Sequence, residues 1–129
     1  MNKDLLLEDY GKALQRLEEA LARPAADELV QAGCIQYFEF TFELAWKTAK
    51  ALCEHAGLQN VGSPRTALRQ AFKQGWIEEE AGYMTMLEAR NRMSHTDQPA
   101  HALDVYAQLP GFARSLRRLY DSLKHLDLG

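Results

Sequence analysis

Apolar residues recur every three or four positions along most of this chain, the spacing expected of helices that bury one face. This spacing predicts five helices, over about residues 3–22, 26–55, 64–74, 79–95 and 100–126. Strand-like alternation of apolar and polar residues is missing from the sequence. Because long helices joined by short connections pack beside one another, we expect an all-α, up-and-down four-helix bundle with one additional short helix.

The predicted helix boundaries carry residues that cap a helix or cannot continue one. Pro24 ends the first helix, and Gly57 and Gly75 close the second and third. Ser63-Pro64 opens the third helix with an N-cap and a first-turn proline. Within the last helix, Pro110-Gly111 must either kink the helix or split it.

The second predicted helix has an unusually wide apolar surface. When residues are placed 100° apart, its polar side chains occupy an arc of roughly 80°: Gln36, Glu39, Glu43, Lys47 and Lys50. The remaining circumference is mainly apolar, about twice the width that a helix on the outside of a monomeric bundle hides. This surface fits either a central helix in a monomer or a helix partly covered by a second copy. Because so small a domain has few helices to surround it, we favour a homodimer formed through this helix.

Length and composition limit the class of protein. The 129 residues suit a single domain over 1–129, and the 47% hydrophobic and 26% charged residues are typical of a soluble protein. A net charge of -3 excludes a uniformly cationic surface, so any RNA contact needs a local basic patch. Cys34 and Cys53 lie too far apart on one helix to form a disulfide, which indicates a reducing compartment. No signal-peptide pattern or membrane-spanning run is present, and we expect a cytoplasmic protein.

Polar residues interrupt the apolar face of the fourth predicted helix near its end. Arg90 and Ser94 fall within about 20° of Tyr83, in the middle of that face, whereas Asn91 and His95 lie along its edge. A buried guanidinium is costly unless it is paired. In a structural interpretation, Arg90 pairs with a buried carboxylate and His95 caps the last carbonyls of the helix. In a functional interpretation, Arg90 binds a phosphate and His95 acts as a general acid or base. The two side chains point about 140° apart on one helix, so a second copy would help both to line one cleft.

Two short basic ridges are further candidate contacts for a phosphate or an acidic partner. They consist of Arg65, Arg69 and Lys73 on the third helix, and of Arg114, Arg117 and Arg118 on the fifth. A solvated face is the commoner explanation for such ridges, and spacing alone favours a surface ion pair for Glu43 and Lys47. We expect no metal and no cofactor in this chain, because the sequence lacks zinc-type spacing and a Gly-rich phosphate loop.

Three segments resemble one branch of the HEPN superfamily. The superfamily motif R-x4-H matches Arg90-Asn91-Arg92-Met93-Ser94-His95. The second-helix signature of the branch matches Gln36-x-Phe38-Glu39-Phe40-Thr41-x-Glu43-Leu44-Ala45-Trp46-Lys47, and Ser63-Pro64-Arg65 fits the same branch. On these residues the chain resembles the nucleotidyltransferase substrate-binding protein family over nearly its whole length.

The resemblance implies a helical-bundle homodimer that partners a minimal nucleotidyltransferase, with ATP and a divalent metal bound by that partner. Such pairs are often regarded as toxin and antitoxin. In HEPN toxins, Arg and His of two subunits form a metal-free RNase site at the dimer cleft. By this analogy the catalytic residues are Arg90, Asn91 and His95. The candidate binding residues are Arg90, Ser94 and His95 of the motif, together with Arg65 and Arg69 of the first basic ridge.

This chain departs from the family at residues beside the motif. Many relatives carry a tyrosine two positions after the histidine, which the partner modifies with AMP in toxin relatives, and Asp97 stands here instead. The usual tryptophan before the methionine is Tyr83, and the usual acidic residue before the Arg-Asn pair is Ala89. We therefore favour a non-catalytic, substrate-binding subunit of a minimal nucleotidyltransferase. The alternative is a metal-independent RNase toxin that uses Arg90 and His95.

Overall fold

The computed structural model describes residues 2–24, 27–95 and 99–126, with the backbone alone for 94–95 and 99–100. Within these ranges the helices are joined by turns and short irregular segments, and there is no β-strand. The five helices are α1 (Lys3–Leu21), α2 (Glu28–His55), α3 (Pro64–Lys73), α4 (Ala81–His95) and α5 (Pro99–Lys124). The predicted all-helical fold is thereby confirmed, with boundaries within about two residues of expectation. The predicted start of the second helix at residue 26 lies outside the described residues.

Side-chain caps define where several helices begin. Asn2 accepts hydrogen bonds from the backbone N–H groups of the first turn of α1, and Asp27 does the same for α2. Ser63 and Thr66 form a reciprocal capping box at the start of α3. Gly57 and Gly75 follow α2 and α3 with φ of +83° and +80°. Because side chains disfavour this left-handed conformation, the two glycines close their helices as the sequence predicts.

The long helices α1, α2 and α5 pack against one another, α3 packs on α2 and α4, and α4 also packs on α5. The face that α1 buries consists of Leu6, Tyr10, Leu14 and Leu17, which are spaced three or four residues apart. Aromatic rings join α2 to α5, with Phe38 and Phe112 stacked at 5.2 Å between ring centroids. The Tyr10 hydroxyl donates a hydrogen bond to the carbonyl of Leu116 and so ties α1 to α5.

Pro110 lies inside α5, which continues through it as one helix. Of the two outcomes expected at this position, a kink or a split, the split is therefore wrong. A proline removes one backbone hydrogen bond, but Leu109 and Phe112 on either side of it are buried in the core. Their burial holds the backbone in register, while Pro110 itself is exposed.

The bundle covers most, but not all, of the apolar surface of α2. Its buried residues include Cys34, Ile35, Phe38, Phe42 and Trp46. Three large apolar side chains of α2 remain exposed, by 82%, 38% and 55% of their surface: Leu29, Tyr37 and Phe40. The neighbouring helices of one chain therefore leave part of the apolar surface of α2 uncovered.

Cys34 and Cys53 are both free and buried. Burial raises the pKa of the Cys53 thiol to about 11, with a further contribution from the charge of Glu54. Among the described residues, no helix is both long and apolar enough to cross a membrane.

Candidate functional site

The face that α4 turns toward the bundle determines where Arg90 lies. Tyr83, Met86 and Ala89 are buried, and the Tyr83 hydroxyl donates a 2.7 Å hydrogen bond to the carbonyl of Ser115. These residues form the predicted apolar face of α4. Arg90 belongs to the same face and its side chain is 26% exposed, so the guanidinium is half-buried.

The Arg90 guanidinium contacts side chains of α2 and of its own helix. Nη2 donates a 2.8 Å hydrogen bond to Oε2 of Glu43 in α2, and Nη1 donates a 2.9 Å hydrogen bond to Oδ1 of Asn91. The carboxylate partner required by the structural interpretation is therefore present, although Glu43 is 35% exposed rather than buried. Through these contacts Arg90 already binds one carboxylate. Arginine binds phosphate oxygens with the same N–H donors.

Glu43 lies between two cations. Its Oε1 is 3.5 Å from Nζ of Lys47, one turn further along α2, as the sequence spacing predicts. Burial acts to raise the pKa of the Glu43 carboxyl, but the hydrogen bond from Arg90 and the charges of Arg90 and Lys47 outweigh it, and the pKa is lowered. The Trp46 indole N–H makes no hydrogen bond to a described residue, yet it lies near enough to Glu43 to contribute to this shift. Glu43 is therefore held as a carboxylate.

Glu39 lies one turn before Glu43 on α2. Burial raises the pKa of its carboxyl, and the positive charge of Arg90 partly opposes the shift. Arg90 therefore acts on Glu39 through its charge, whereas it acts on Glu43 through a hydrogen bond as well. The two carboxylates differ in environment although they lie on the same side of one helix.

The remaining residues of the R-x4-H motif lie at the end of α4. The helix continues through His95, but the side chains of Ser94 and His95 lie outside the described part of the structure, as does Asp97. The roles of Ser94 and His95, and the convergence of His95 with Arg90, accordingly remain predictions.

Arg65 and Arg69 face the beginning of α4. Nη1 of Arg65 lies 3.5 Å from the sulfur of Met84, and Nε of Arg69 donates a 3.3 Å hydrogen bond to Oε2 of Glu80. Their contacts are thus with the beginning of α4 and with the residue just before it, whereas Arg90 contacts α2. Both arginines are exposed, and their proposed binding role remains a prediction.

The second basic ridge includes one arginine that holds the bundle together. Arg117 donates hydrogen bonds from Nε and Nη2 to the two carboxylate oxygens of Glu18 in α1, the first of them 3.0 Å long. Its guanidinium also lies 5.3 Å from the centre of the Tyr120 ring. Arg117 therefore has a structural role, while Arg114 and Arg118 are exposed.

An apolar groove of about 700 Å³ lies beside the Arg90 region, between the first half of α2, the end of α4 and the beginning of α5. Its lining includes Leu29, Ile35, Glu39, Met93 and Leu103. Sequence reasoning anticipated a wide apolar surface on α2 but missed the contribution of Leu103, which is 54% exposed. The only signal was an apolar residue about 200° around α5 from the buried Val105. No group of three or more metal-ligating side chains occurs among the residues that the structure describes.

The chain matches a family model described as nucleotidyltransferase substrate binding protein like, over residues 5–125. A Haemophilus influenzae protein named "Probable ribonuclease HepT" is 31% identical over 97 residues, which cover 72% of this chain and 66% of that protein. The chain thus spans about two thirds of that relative.

Two solved structures have the same fold. A Thermus thermophilus protein superimposes with a TM-score of 0.82 at 30% identity, over 90% of this chain and 99% of the other. A Haemophilus influenzae protein superimposes with a TM-score of 0.79 at 26% identity, over 96% of this chain and 100% of the other. The latter is described as revealing the fold of a substrate binding domain of a nucleotidyltransferase.

Proposed function

The chain belongs to the nucleotidyltransferase substrate-binding protein family, and on that premise we propose that it is the non-catalytic subunit of a minimal nucleotidyltransferase. The observation that carries this proposal is the structural likeness to a substrate-binding domain, which covers 96% of the chain. In this arrangement the partner binds ATP and a divalent metal, while this chain binds the partner and presents the substrate. The free, buried cysteines suit a reducing cytoplasm.

The test is capture of the partner from the native host. Tagged chain, purified under mild conditions, is expected to bring down a small nucleotidyltransferase encoded by a neighbouring gene, whereas the tag alone brings down none. Failure of the two purified proteins to associate at micromolar concentration would contradict the proposal.

The working form of this subunit is a homodimer formed through α2 and the adjoining groove. Leu29 and Leu103 expose 82% and 54% of their surface beside that groove, and burying such side chains is favourable. In a two-fold dimer the same patch meets itself, so both copies of the end of α4 approach one cleft. Arg90 and His95 of the two copies could then act together despite pointing apart on one helix.

Two substitutions of matched exposure test this interface. Leu103 and Phe40 expose 54% and 55% of their surface, but Leu103 lines the groove, whereas Phe40 lines a separate pocket between α1 and α2. Leu103→Asp is expected to give monomers in sedimentation velocity, whereas Phe40→Asp should leave the dimer intact. A monomeric wild type, or the reverse pattern in the variants, would contradict the interface.

The second candidate function is a metal-independent RNase toxin. It is favoured by the relative named a probable ribonuclease and by the contact of Arg90 with Asn91 within an R-x4-H motif. In this reaction Arg90 stabilises the phosphate, and Asn91 helps to position the side chains of Arg90 and His95. His95 accepts the proton of the ribose 2′-hydroxyl, or donates one to the leaving 5′-oxygen. The 2′-oxygen attacks phosphorus as it loses its proton, the bond to the 5′-oxygen breaks as that oxygen takes up a proton, and a 2′,3′-cyclic phosphate forms.

Expression of the chain without its partner tests the RNase function. Growth arrest and RNA cleavage are expected, and His95→Ala or Arg90→Ala should abolish both. Arg92→Ala is the matched control, because Arg92 lies on the same helix with an exposed side chain. Equal toxicity of wild type and His95→Ala would rule out this function and leave the subunit proposal standing.

A further inference from the structure

The anion site at Arg90 is already occupied by a side chain of the same molecule. Glu43 accepts the 2.8 Å hydrogen bond from Nη2, and Asn91 accepts the 2.9 Å hydrogen bond from Nη1. Arginine binds phosphates and carboxylates through the same fork of N–H donors. A phosphate that approaches Arg90 from the exposed side must therefore compete with the Glu43 carboxylate.

Glu43 also has a second cation within reach. Oε1 of Glu43 is 3.5 Å from Nζ of Lys47 in the present arrangement, while Oε2 holds Arg90. Glu43 and Lys47 both lie on α2, and their side chains are 35% and 40% exposed, respectively. A small rotation of the glutamate side chain can therefore release Arg90 while keeping a cation beside the carboxylate. Lys47 makes such a release less costly, because an unpaired, partly buried carboxylate is unfavourable.

We propose that Glu43 is a built-in competitor for phosphate at Arg90, and that Lys47 holds the Glu43 carboxylate when phosphate replaces it. The phosphate can belong to a nucleotide or to an RNA backbone, since both present the same oxygens. The inference rests on the second candidate function only in taking Arg90 as a phosphate ligand. It assigns Glu43 and Lys47 as positioning residues that set how tightly a phosphate binds.

This assignment differs from a purely structural ion pair in the direction of the expected effect. Removing half of a structural pair costs stability and should not improve binding of an anion. Removing a competitor makes the Nη2 donor of Arg90 available to a phosphate and tightens binding. For a partly exposed pair we expect Glu43→Gln to tighten phosphate binding about five-fold, and Lys47→Met to weaken it about two-fold or more because the displaced carboxylate loses its alternative cation.

The experiment measures the affinity of the full chain for two probes, inorganic pyrophosphate and a short 2′-O-methyl RNA that cannot be cleaved through its 2′-oxygen. Glu39→Gln is the matched control, because it removes a carboxylate that Arg90 influences through charge alone. Glu43→Gln should tighten binding of at least one probe more than Glu39→Gln does. The gain should disappear in the background of Arg90→Ala, and urea unfolding of each variant verifies that it is folded.

The outcomes separate the inference from the proposed function. A gain with pyrophosphate alone assigns the site to a nucleotide, and a gain with the RNA assigns it to a nucleic-acid backbone; either supports the competitor role. Equal gains in Glu43→Gln and Glu39→Gln, or a gain that survives Arg90→Ala, would overturn it. Unchanged affinity of Glu43→Gln for both probes would also overturn it, even if the chain still captures a nucleotidyltransferase. Conversely, failure to capture the partner would overturn the subunit function without touching this result.

Discussion

Replacing Tyr83 with phenylalanine removes one buried hydroxyl and keeps the ring. Tyr83 is 4% exposed, and its hydroxyl donates a 2.7 Å hydrogen bond from α4 to the carbonyl of Ser115 in α5. Loss of such a bond costs about 1 kcal/mol of unfolding free energy. For a domain of this size that corresponds to a fall of about 4 °C in Tm. At pH 8 we therefore expect Tyr83→Phe to be less stable than the wild type.

The same hydroxyl predicts a reversal at high pH. Burial, with a small contribution from nearby glutamates, raises the pKa of Tyr83 from 10 to about 12. Because the folded chain resists ionisation of this phenol, its stabilising effect is complete below pH 10 and is lost as the pH rises through 12. At pH 11 the loss amounts to about 1.4 kcal/mol. The phenylalanine variant has no such loss, so it should be as stable as the wild type, or slightly more stable, at pH 11.

Urea unfolding followed by circular dichroism at pH 8 and pH 11 measures both effects. Tyr10 is also buried, and burial, with a smaller contribution from the charge of Tyr83, raises its pKa well above the ordinary value; the larger cause, burial, is the same in both proteins. A stability gap between wild type and Tyr83→Phe that is the same at the two pH values would refute the reasoning.

Three further substitutions test local backbone and capping arguments by thermal or urea unfolding. Gly33→Ala should stabilise the protein by about 0.5–1 kcal/mol, because Gly33 lies inside α2 and an added Cβ meets no atom within 4 Å. Gly57→Ala should destabilise it by about 1 kcal/mol, because φ at Gly57 is +83°. If both glycine variants changed the unfolding free energy in the same direction, this explanation would be contradicted. Ser63→Ala should cost about 1 kcal/mol through loss of the α3 capping box, and no change would show that the cap contributes little.

The helices could be predicted from the sequence because their signals are local. The spacing of Leu6, Tyr10, Leu14 and Leu17 identifies the buried face of α1, and Gly57 stops α2 through its own backbone geometry. These features depend on residues within one or two turns. They are therefore readable without knowing how the helices pack.

Pro110 shows where local reasoning fails. Proline opposes helix continuation, but burial of Leu109 and Phe112 on either side depends on contacts with the rest of the bundle. Tertiary packing keeps α5 a single helix, and no local rule contains that information. For this reason the sequence could not decide between a kinked helix and two separate ones.

The candidate site was predictable only in part. The position of Arg90 on the apolar face of α4 indicated a need for an anionic partner, but Glu43 lies 47 residues earlier in the chain. The spacing along α2 predicted an ion pair between Glu43 and Lys47, which is correct. It could not reveal that Glu43 also accepts a hydrogen bond from Arg90. The groove beside Arg90 combines three helices, so its shape also depends on packing that the sequence does not state.

The central claim is that this chain acts as one half of a two-component nucleotidyltransferase. Sedimentation velocity of the purified chain mixed with the nucleotidyltransferase encoded beside it tests that claim most directly. At micromolar concentrations of both proteins, the account predicts a single boundary that contains both components and sediments faster than either alone. Two independent boundaries at those concentrations would contradict it.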